Sequence, residues 1–407
     1  MKRGYALRGD KYAASRFAGR LCALACIGML LNLGGCAELG RIAAVSAKDT
    51  GRASVLGISN ARYYANDNEH LVAEFRRLQE RETKYFNSIG RPLPPEDVLA
   101  ISGGGDNGAF GAGLLIGLTE SGKRPSFRFV TGISTGALIA PFAFLGLEFD
   151  PVLAEMYTSI DQSNIFEKRP IVTALVSDAM ADTEPLKNLI ARYLDEEIVE
   201  RIAGEYRRGR TLIIITTNLD AGLPVIWNIG AIADSGHPQA VTLIRQILLA
   251  SASIPAVFPP VMFTVTVDGV DHQELHVDGG ATMQTFLYPP TLPVGKLSAV
   301  GPRRKRTAYI VRNGRLAEDW SETERSTLSI ATRAVATLTT NSGVGDLYRI
   351  YASVKRDGIG FRLAVIDDDF VEPHPREFDH AYMVKLFEYA RAKARGGYPW
   401  RNAPPGF

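Results

Sequence analysis

The stretch Val130–Ala140, VTGISTGALIA, passes from β-branched residues through Gly-Ile-Ser-Thr-Gly into residues that favour a helix. This order predicts a strand, a tight turn and a helix, with Ser134 at the turn. Gly132 and Gly136 occupy the two positions where a side chain would clash in such a turn. The pattern indicates a nucleophile elbow, which exposes the serine hydroxyl. A glycine-rich turn without a catalytic role fits the same short pattern, so other segments must distinguish the two.

Strand-like and helix-like segments alternate on both sides of this stretch. Asp97–Ile101, DVLAI, precedes a glycine-rich turn and a short helix, and Thr211–Asp220, TLIIITTNLD, is apolar and β-branched as in a buried central strand. Further along, the sequence predicts a hairpin that turns at Asp268–Gly269, a strand that ends at Asp278 and a long helix from Glu322. Strands that alternate with helices predict an α/β fold with a mainly parallel sheet covered on both faces.

Three glycine-containing turns follow predicted strands: SGGGDNG at 102–108, GISTG at 132–136 and VDGG at 277–280. In α/β sheets, ligands bind at the carboxyl ends of the strands. Because each turn leaves a strand at that edge, we expect the three turns to form one site. Their shared position is stronger evidence for a site than any one of the motifs.

The turn at 102–108 is compatible with several roles. Its backbone N–H groups could cradle a phosphate, but it lacks the Lys-Ser/Thr ending of a P-loop. The spacing Gly103-x-Gly105-x-x-Gly108 fits a dinucleotide-binding turn, yet no acidic residue clearly ends a second strand about twenty positions later. We therefore favour an oxyanion hole, whose N–H groups stabilise charge that develops on a carbonyl oxygen. Dinucleotide binding and a purely structural turn are the alternatives.

Ser134 needs a base, because a neutral hydroxyl is a weak nucleophile. Asp278, followed by Gly279 and Gly280, is one candidate, although Asp-Gly-Gly alone is also a common turn. A carboxylate can act on a serine only within direct hydrogen-bonding reach, preferably in a partly desolvated site that raises its pKa. The residues alone leave Asp278 and a histidine both open. The histidines are His70, His237, His272, His276, His374 and His380.

Taken in order, SGGGDNGAFGAG (102–113), GISTG (132–136) and VDGG (277–280) resemble the motifs of patatin-like phospholipases. TTNLDAGLPVIW (216–227) and LLASASIPAVFPPV (248–261) also look like segments of that family, so the resemblance spans about 98–290. It implies a three-layer α/β/α sandwich with a mainly parallel sheet. It also implies a serine lipid acyl hydrolase, of phospholipase A or lysophospholipase type, that acts through a Ser-Asp dyad and an acyl-enzyme on phospholipid or another acyl lipid.

The resemblance assigns a role to each motif. It implies that Ser134 is the nucleophile, that Asp278 accepts its proton, and that the backbone of Gly103–Gly105 with Gly108 forms the oxyanion hole. No histidine, metal or cofactor is required. Ser102 and Asn107 depart from the family, many of whose members have an Asp and an Arg or Lys there. A non-catalytic lipid-binding scaffold and a Ser-His-Asp esterase that uses His374 or His380 are the rival interpretations.

The N-terminal segment predicts export. Residues 1–35 carry six basic residues against Asp10, and an apolar run from Leu21 leads to the box Leu33-Gly34-Gly35-Cys36, which resembles a bacterial lipoprotein signal. We therefore expect lipidation at Cys36 and a membrane anchor, and Ala37 is compatible with the periplasmic side of the outer membrane. An ordinary secretory signal is the alternative. The remainder has a net charge of about −3, which disfavours nucleic acid as a partner.

These patterns divide the chain into four parts. They are a signal peptide at 1–35, a tether and helix at 36–95, a catalytic core at 96–290, and further strands and helices at 291–407 that complete the same domain. Apolar side chains near the motifs are expected in the core, with an acyl-chain groove as the alternative. These residues are Phe110, Leu114, Phe142, Phe144, Ile254 and Phe258. The sequence does not predict an oligomeric state.

Overall fold

The computed structural model describes residues 40–168, 181–255, 257–299, 304–317 and 322–407. Cys36 and the predicted signal peptide lie outside these residues. Ile42–Phe407 form one compact unit. Within the described ranges, no helix is both long enough and apolar enough to cross a membrane.

Eleven strands lie within the described residues. They are β1 (Arg62–Tyr64), β2 (Glu96–Ile101), β3 (Phe129–Gly132), β4 (Glu167–Lys168), β5 (Ala181–Asp182), β6 (Thr211–Asn218), β7 (Leu223–Asn228), β8 (Val261–Val267), β9 (Val270–Asp278), β10 (Arg306–Val311) and β11 (Gly360–Ala364).

The α-helices of the described residues surround these strands. They are α1 (Asn68–Ser88), α2 (Gly108–Glu120), α3 (Thr135–Leu145), α4 (Asp150–Thr158), α5 (Glu184–Tyr193), α6 (Glu196–Arg207), α7 (Ile229–Ala233), α8 (Ala240–Ser251), α9 (Val294–Ser298), α10 (Thr327–Arg356) and α11 (His380–Arg395).

Nine of the strands form one sheet around a parallel centre. Strands β11, β10, β2, β3 and β6 are adjacent in that order and run parallel. Strand β7 pairs antiparallel with β6 and carries β1 at its outer edge. Strands β10 and β11, from the C-terminal part of the chain, thus extend the same sheet.

The core lies on both faces of this sheet, because successive residues of a strand point to opposite sides. Leu212 and Ile214 of β6 pack in a cluster with α2, α3, α8 and α11. Ile213 and Ile215 pack in a second cluster with α1 and α10. The result is a helix–sheet–helix arrangement, and the predicted α/β fold with a mainly parallel sheet is confirmed.

Strands β3 and β9 share one edge of β6. Strand β3 runs parallel to β6 and ends at Gly132, opposite Ile214. Strand β9 approaches antiparallel and ends at Asp278, opposite Thr216. The ends of β3 and β9 therefore face each other two residues apart in register. The sheet topology alone brings the residues after Gly132 close to Asp278.

Two local predictions are tested directly by the backbone. The hairpin between β8 and β9 turns at Asp268 and Gly269, whose φ angles of 51° and 82° are those that a tight two-residue hairpin turn requires. The prediction that the long helix begins at Glu322 is wrong. Helix α10 begins at Thr327, because the Ser326 hydroxyl caps its first turn by accepting a hydrogen bond from the Ser329 amide.

Candidate active site

Ser134 lies in the turn between β3 and α3 with φ 56° and ψ −126°, a conformation that costs energy in a residue with a side chain. Both flanking glycines are needed there. A Cβ on Gly132 would lie 2.3 Å from the Gly136 carbonyl oxygen, and one on Gly136 would lie 2.4 Å from the Ile101 carbonyl oxygen. The backbone thus has the geometry of a nucleophile elbow.

The C-terminal end of α8 and the residues after it hold this turn in place. The Ser134 amide donates a hydrogen bond of 3.1 Å to the Ser251 hydroxyl oxygen, and that hydroxyl donates to the Ile215 carbonyl at 2.7 Å. Two residues on, the Ser253 carbonyl accepts from the Asp278 amide at 2.9 Å. One short segment therefore fixes the backbone of both Ser134 and Asp278.

The structure brings the side chains of Ser134 and Asp278 together. The serine is 7% exposed and the aspartate 4%, and the Ser134 hydroxyl lies close enough to the carboxylate to act on the pKa of Asp278. The Gly280 amide donates a hydrogen bond to Asp278 Oδ1 at 2.7 Å. Strand β9 runs antiparallel to β6, so Asp278 reaches Ser134 from the opposite direction to the one expected from the rule for parallel strands.

The environment of Asp278 favours a neutral carboxyl. Burial raises the pKa of Asp278 to about 7, and the nearby Ser134 hydroxyl and the Gly280 amide only partly oppose that rise. Among the described residues, Asp278 forms no ion pair. A carboxylate with a pKa near neutrality has the affinity for protons that a general base needs.

The glycine-rich turn offers fewer amides than the sequence suggests. The Gly103 N–H donates to the Gln284 carbonyl at 3.0 Å, and the Gly108 N–H donates within its own turn to the carbonyls of Asp106 and Gly105. The prediction that Gly103 and Gly108 supply oxyanion-hole amides is therefore corrected. The N–H groups of Gly104 and Gly105 have no acceptor among the described residues.

Gly103 and Gly108 instead each let two segments of the backbone pack closely together. A Cβ on Gly103 would lie 3.2 Å from Ser134 Cβ, so its absence lets the turn pass beside the serine. A Cβ on Gly108 would lie 2.1 Å from Thr135 Oγ1, so its absence lets α2 pack against the start of α3.

Ser102 and Asn313 hold the start of the glycine turn. The Ser102 hydroxyl donates to the Gly103 carbonyl at 2.6 Å and accepts from the backbone N–H of Asn313 at 2.8 Å. The Asn313 side chain donates to the Ser102 carbonyl at 2.9 Å and accepts from the Gly111 amide at 3.0 Å. Ser102 therefore has a structural role in this protein.

Gln284 joins two of the three predicted turns, those at 102–108 and 277–280. Its carbonyl accepts from Gly103, its side-chain amide donates to the Gly280 carbonyl at 3.2 Å, and its backbone N–H donates to Asp346 Oδ2 at 2.6 Å. A Cβ on Gly279 would lie 2.7 Å from the Ile215 carbonyl oxygen, so this glycine lets the turn lie against β6. Sequence reasoning missed Gln284, because a glutamine outside any motif carries no pattern.

The histidines considered as alternative bases have other partners. His374 Nε2 lies 2.7 Å from Asp106 Oδ2, which raises the pKa of His374. His380 Nε2 lies 2.8 Å from the Thr158 carbonyl oxygen. Neither histidine has a hydrogen bond to Ser134 among the described residues.

Neither a metal site nor an acyl groove follows from the described residues. No group of three His, Cys, Asp or Glu side chains in them could hold a metal ion. An apolar cavity of about 100 Å³ lies beneath α1, and neither Ser134 nor Asp278 lines it. The apolar residues near the motifs pack in the core, either buried or, for Ile254, partly buried. They are Phe110, Leu114, Phe142, Phe144, Ile254 and Phe258.

Comparison with known proteins finds a family match for the region that contains this site. Residues 99–289 match the model of the patatin-like phospholipase family. No curated protein sequence matches the chain.

Several solved structures are similar. VipD from Legionella pneumophila is 12% identical, with 76% of this chain and 68% of that chain covered and a TM-score of 0.37. Human GIVD cytosolic phospholipase A2, in complex with methyl gamma-linolenyl fluorophosphonate, is 12% identical, with 83% and 64% covered and a TM-score of 0.28. The type III effector ExoU is 12% identical, with 75% and 53% covered and a TM-score of 0.22. The chain thus spans about half to two thirds of these proteins.

Proposed function

Because residues 99–289 belong to the patatin-like phospholipase family, we propose that this protein is a serine lipid acyl hydrolase that cleaves carboxylic esters of membrane lipids. Family membership by itself indicates a lipid hydrolase. The observation that supports the specific mechanism is the proximity of the Ser134 hydroxyl to the buried Asp278 carboxylate, whose pKa it affects.

In the first half of the reaction, Asp278 accepts the hydroxyl proton as Ser134 Oγ attacks the ester carbonyl carbon. The carbonyl oxygen becomes an oxyanion, and the free N–H groups of Gly104 and Gly105 stabilise it. The intermediate then collapses, the C–O bond to the alcohol breaks, and protonated Asp278 returns its proton to the leaving oxygen. The products are the free alcohol and an acyl ester on Ser134.

Water completes the cycle through the same groups. Asp278 removes a proton from a water molecule that attacks the acyl carbonyl, and the oxyanion forms again beside Gly104 and Gly105. Collapse releases the fatty acid and returns the proton to Ser134 Oγ. A pKa near 7 suits Asp278 to both tasks, because the group must bind and release a proton in each half-reaction.

A fluorophosphonate probe followed by peptide mapping tests this proposal, because the probe phosphonylates an activated serine. We expect an adduct on Ser134 in the wild type and none on that peptide in Ser134→Ala. In Asp278→Asn, labelling should be slower by about 10²- to 10⁴-fold, the usual contribution of a general base. His374→Asn is the matched control, since it removes a titratable group near the glycine turn, and it should be labelled at the wild-type rate.

Each contrary outcome identifies a rival. Loss of labelling in His374→Asn together with normal labelling in Asp278→Asn would identify a histidine-dependent esterase. No adduct anywhere in a folded wild-type protein would favour a lipid-binding scaffold without catalysis. Circular dichroism of every variant excludes simple unfolding as the cause.

We further propose that Cys36 carries a lipid that anchors the protein to a membrane, on the strength of the box Leu33–Cys36. Cys36→Ser should leave the membrane fraction, whereas the control Cys26→Ser should stay in it. Mass spectrometry of the N-terminal peptide gives the second measurement. An unmodified N-terminus at any residue in the membrane-extracted wild type would indicate an ordinary secretory signal instead.

A further inference from the structure

A polar cavity of about 470 Å³ lies directly beside the glycine turn. Gly103, Gly104 and Gln284 form the wall nearest to Ser134, since a Cβ on Gly103 would lie within 3.2 Å of Ser134 Cβ and 2.7 Å of Gln284 Oε1. Neither Ser134 nor Asp278 lines the cavity itself, but Gly103 of its wall lies next to the serine.

Arg312, in the segment that follows β10, lines this cavity and is only 5% exposed. Its Nε donates to the Arg315 carbonyl at 3.0 Å and its Nη2 to the Thr340 carbonyl at 3.3 Å. Its Nη1 has no acceptor among the described residues. The two carbonyl contacts fix the plane of the guanidinium and leave Nη1 available to a ligand.

The structure makes specific room for this guanidinium. A Cβ on Gly343 of α10 would lie 2.3 Å from Arg312 Nη1 and 3.0 Å from Gln284 Cβ. The glycine therefore lets α10 approach the arginine and the wall of the cavity together. Any larger residue would displace the guanidinium from this position.

No carboxylate of the described residues forms an ion pair with Arg312. The charge of Asp346 acts on it, but the oxygens of Asp346 already accept hydrogen bonds from the amides of Gln284 and Thr285 and from Arg349. Glu372, also in the wall, is paired with Lys385 at 2.6 Å. A buried cation without its own counter-ion is expensive, which indicates that an anion completes the site.

We propose that Arg312 binds the phosphate group of the phospholipid substrate in this cavity while the neighbouring ester lies at Ser134. This assignment rests on the proposed lipid hydrolase function. The sn-2 ester and the phosphate of a glycerophospholipid are attached to adjacent glycerol carbons, and Gly103 lies both in the wall of the cavity and next to the serine. Arginine suits the task, because its guanidinium can donate two parallel hydrogen bonds to phosphate oxygens.

The same site accounts for the neutral residue at position 107. Asn107 lines the cavity, and its side-chain oxygen accepts a hydrogen bond from the Tyr382 hydroxyl at 2.7 Å. A cation is thus supplied to this region by Arg312 rather than by the glycine turn. No hydrogen bond among the described residues joins Asn107 to Arg312, so the two can be varied separately.

Binding of sn-glycerol 3-phosphate, measured by calorimetry on the catalytically silent Ser134→Ala background, tests the site without turnover. Arg312→Gln should weaken binding by about 10- to 100-fold, the contribution of a charge-assisted hydrogen bond pair. Arg312→Lys should weaken it less. Asn107→Asp, which keeps the acceptor for Tyr382 and adds a negative charge to the wall, should also weaken it and serves if Arg312→Gln does not fold. Unchanged binding in a folded Arg312→Gln or in Asn107→Asp would overturn the site.

Arg245→Gln is the matched control, because Arg245 likewise donates to two backbone carbonyls, of Leu194 and Ala191, but lies outside the cavity. It should bind glycerol phosphate as tightly as its Ser134→Ala parent. A loss of binding in this control as large as that in Arg312→Gln would show a general structural effect and overturn the assignment.

A kinetic comparison in the Ser134 enzyme then identifies the source of the phosphate. The ratio of kcat/KM for a short-chain phosphatidylglycerol to that for the matching uncharged diacylglycerol should fall about 10- to 100-fold in Arg312→Gln. Calorimetry with inorganic phosphate gives the second measurement. If Arg312→Gln no longer binds inorganic phosphate but the kcat/KM ratio is unchanged, the cavity binds free phosphate and the substrate assignment is wrong. If the Ser134 enzyme shows no turnover at all while phosphate binding still depends on Arg312, the hydrolase function is refuted and the anion site remains supported.

Discussion

Glu274 and Asp278 lie four residues apart on β9, and both carboxylates are buried, with exposures of 1% and 4%. Their pKa values nevertheless move in opposite directions. Burial acts to raise the pKa of Glu274, but hydrogen bonds from His276 and Arg62 outweigh it and lower that pKa to about 2. Asp278 has no such cation, and burial raises its pKa to about 7. The partner, rather than the depth of burial, decides the charge of a buried carboxylate.

The two environments correspond to two tasks. Glu274 is one end of a closed network in which Arg62 Nη2 donates to it at 3.1 Å and His276 Nε2 lies 3.1 Å from it. Every polar partner there is supplied by the protein, as in a structural ion pair. Asp278 accepts a hydrogen bond from one amide and lies beside the Ser134 hydroxyl, so part of its hydrogen-bonding capacity can serve a reaction. Perturbed pKa values with this kind of asymmetry are typical of functional sites.

The strongest test of the comparison is Glu274→Gln. This change leaves the Arg62 guanidinium buried without its counter-ion, and we expect the free energy of unfolding at pH 7 to fall by about 3–5 kcal/mol. Chemical denaturation at pH 7 measures it. Labelling of Ser134 per folded molecule should stay within about threefold, because Glu274 is not a proposed catalytic group. Unchanged stability would show that the ion pair contributes nothing net.

Asp278→Asn should act in the opposite direction on stability. Since the folded protein holds the carboxyl above its ordinary pKa, ionisation at pH 8 works against folding, and an amide of the same shape removes that cost. We expect a gain of about 1–3 kcal/mol in the free energy of unfolding at pH 8, together with the loss of labelling described above. Equal losses of stability in Asp278→Asn and Glu274→Gln would mean that the two carboxylates have the same role.

Thr216 connects the two regions and allows them to be separated. Its backbone pairs with Asp278, whereas its hydroxyl accepts from Trp227 Nε1 at 2.8 Å and lies 2.8 Å from His276 Nδ1. If the hydroxyl donates to Nδ1, then Nε2 carries the proton that is donated to Glu274. Burial also lowers the pKa of His276, which favours this neutral form.

We therefore expect Thr216→Val to destabilise the protein by about 1–2 kcal/mol, because two buried polar groups lose their partner. Labelling of Ser134 should change less than threefold, since the backbone pairing of β6 with β9 remains. Thr216→Ser, which keeps the hydroxyl, is the matched control and should recover most of the stability. A large loss of labelling in Thr216→Val alone would show that the network also positions Asp278.

The sequence predicted the fold well because the fold depends on patterns that the chain displays locally. Buried parallel strands have runs of apolar residues in the sequence, and the alternation of these runs with helix-like segments predicts an α/β fold. The glycines of the elbow were predictable for the same reason, because a side chain at Gly132 or Gly136 would clash with backbone atoms close to the turn. The proximity of Asp278 to Ser134 was inferred from parallel-strand ends, whereas it depends on antiparallel β9 continuing along the edge of β6 beyond β3.

The sequence did not predict the residues that act through hydrogen bonds to distant parts of the chain. Ser251 holds the elbow, Gln284 joins the turns at 102–108 and 277–280, and Asn313 holds the glycine loop, but each is a common polar residue outside a chemical motif. Likewise, the amides of Gly103 and Gly108 looked free in the sequence, and only tertiary structure shows that carbonyls already occupy them. A glycine motif predicts the path of the backbone better than it predicts which N–H groups remain open.

The pH dependence of the rate and of the stability tests the comparison of Glu274 with Asp278 without any mutation, and it is the smallest of the expected effects. Because Asp278 must be ionised to act as a base, kcat/KM for an uncharged ester should fall about tenfold per pH unit below an apparent pKa of about 7, and level off above it. For stability the signs differ. Asp278 favours folding most below pH 3.8, the ordinary value, and this contribution is lost as the pH rises through 7. Glu274 favours folding fully above pH 4.5, and its contribution is lost as the pH falls towards 2.

Rate and stability profiles of the wild type, measured from about pH 3 to 9, separate these contributions. Asp278→Asn should flatten the decline in stability between pH 3.8 and 7 and leave the loss below pH 4.5 in place. A rate that is constant from pH 5 to 8 would contradict a base with a pKa near 7. It would mean that Asp278 is ionised throughout, so that its environment is closer to that of Glu274 than its lack of a cationic partner implies.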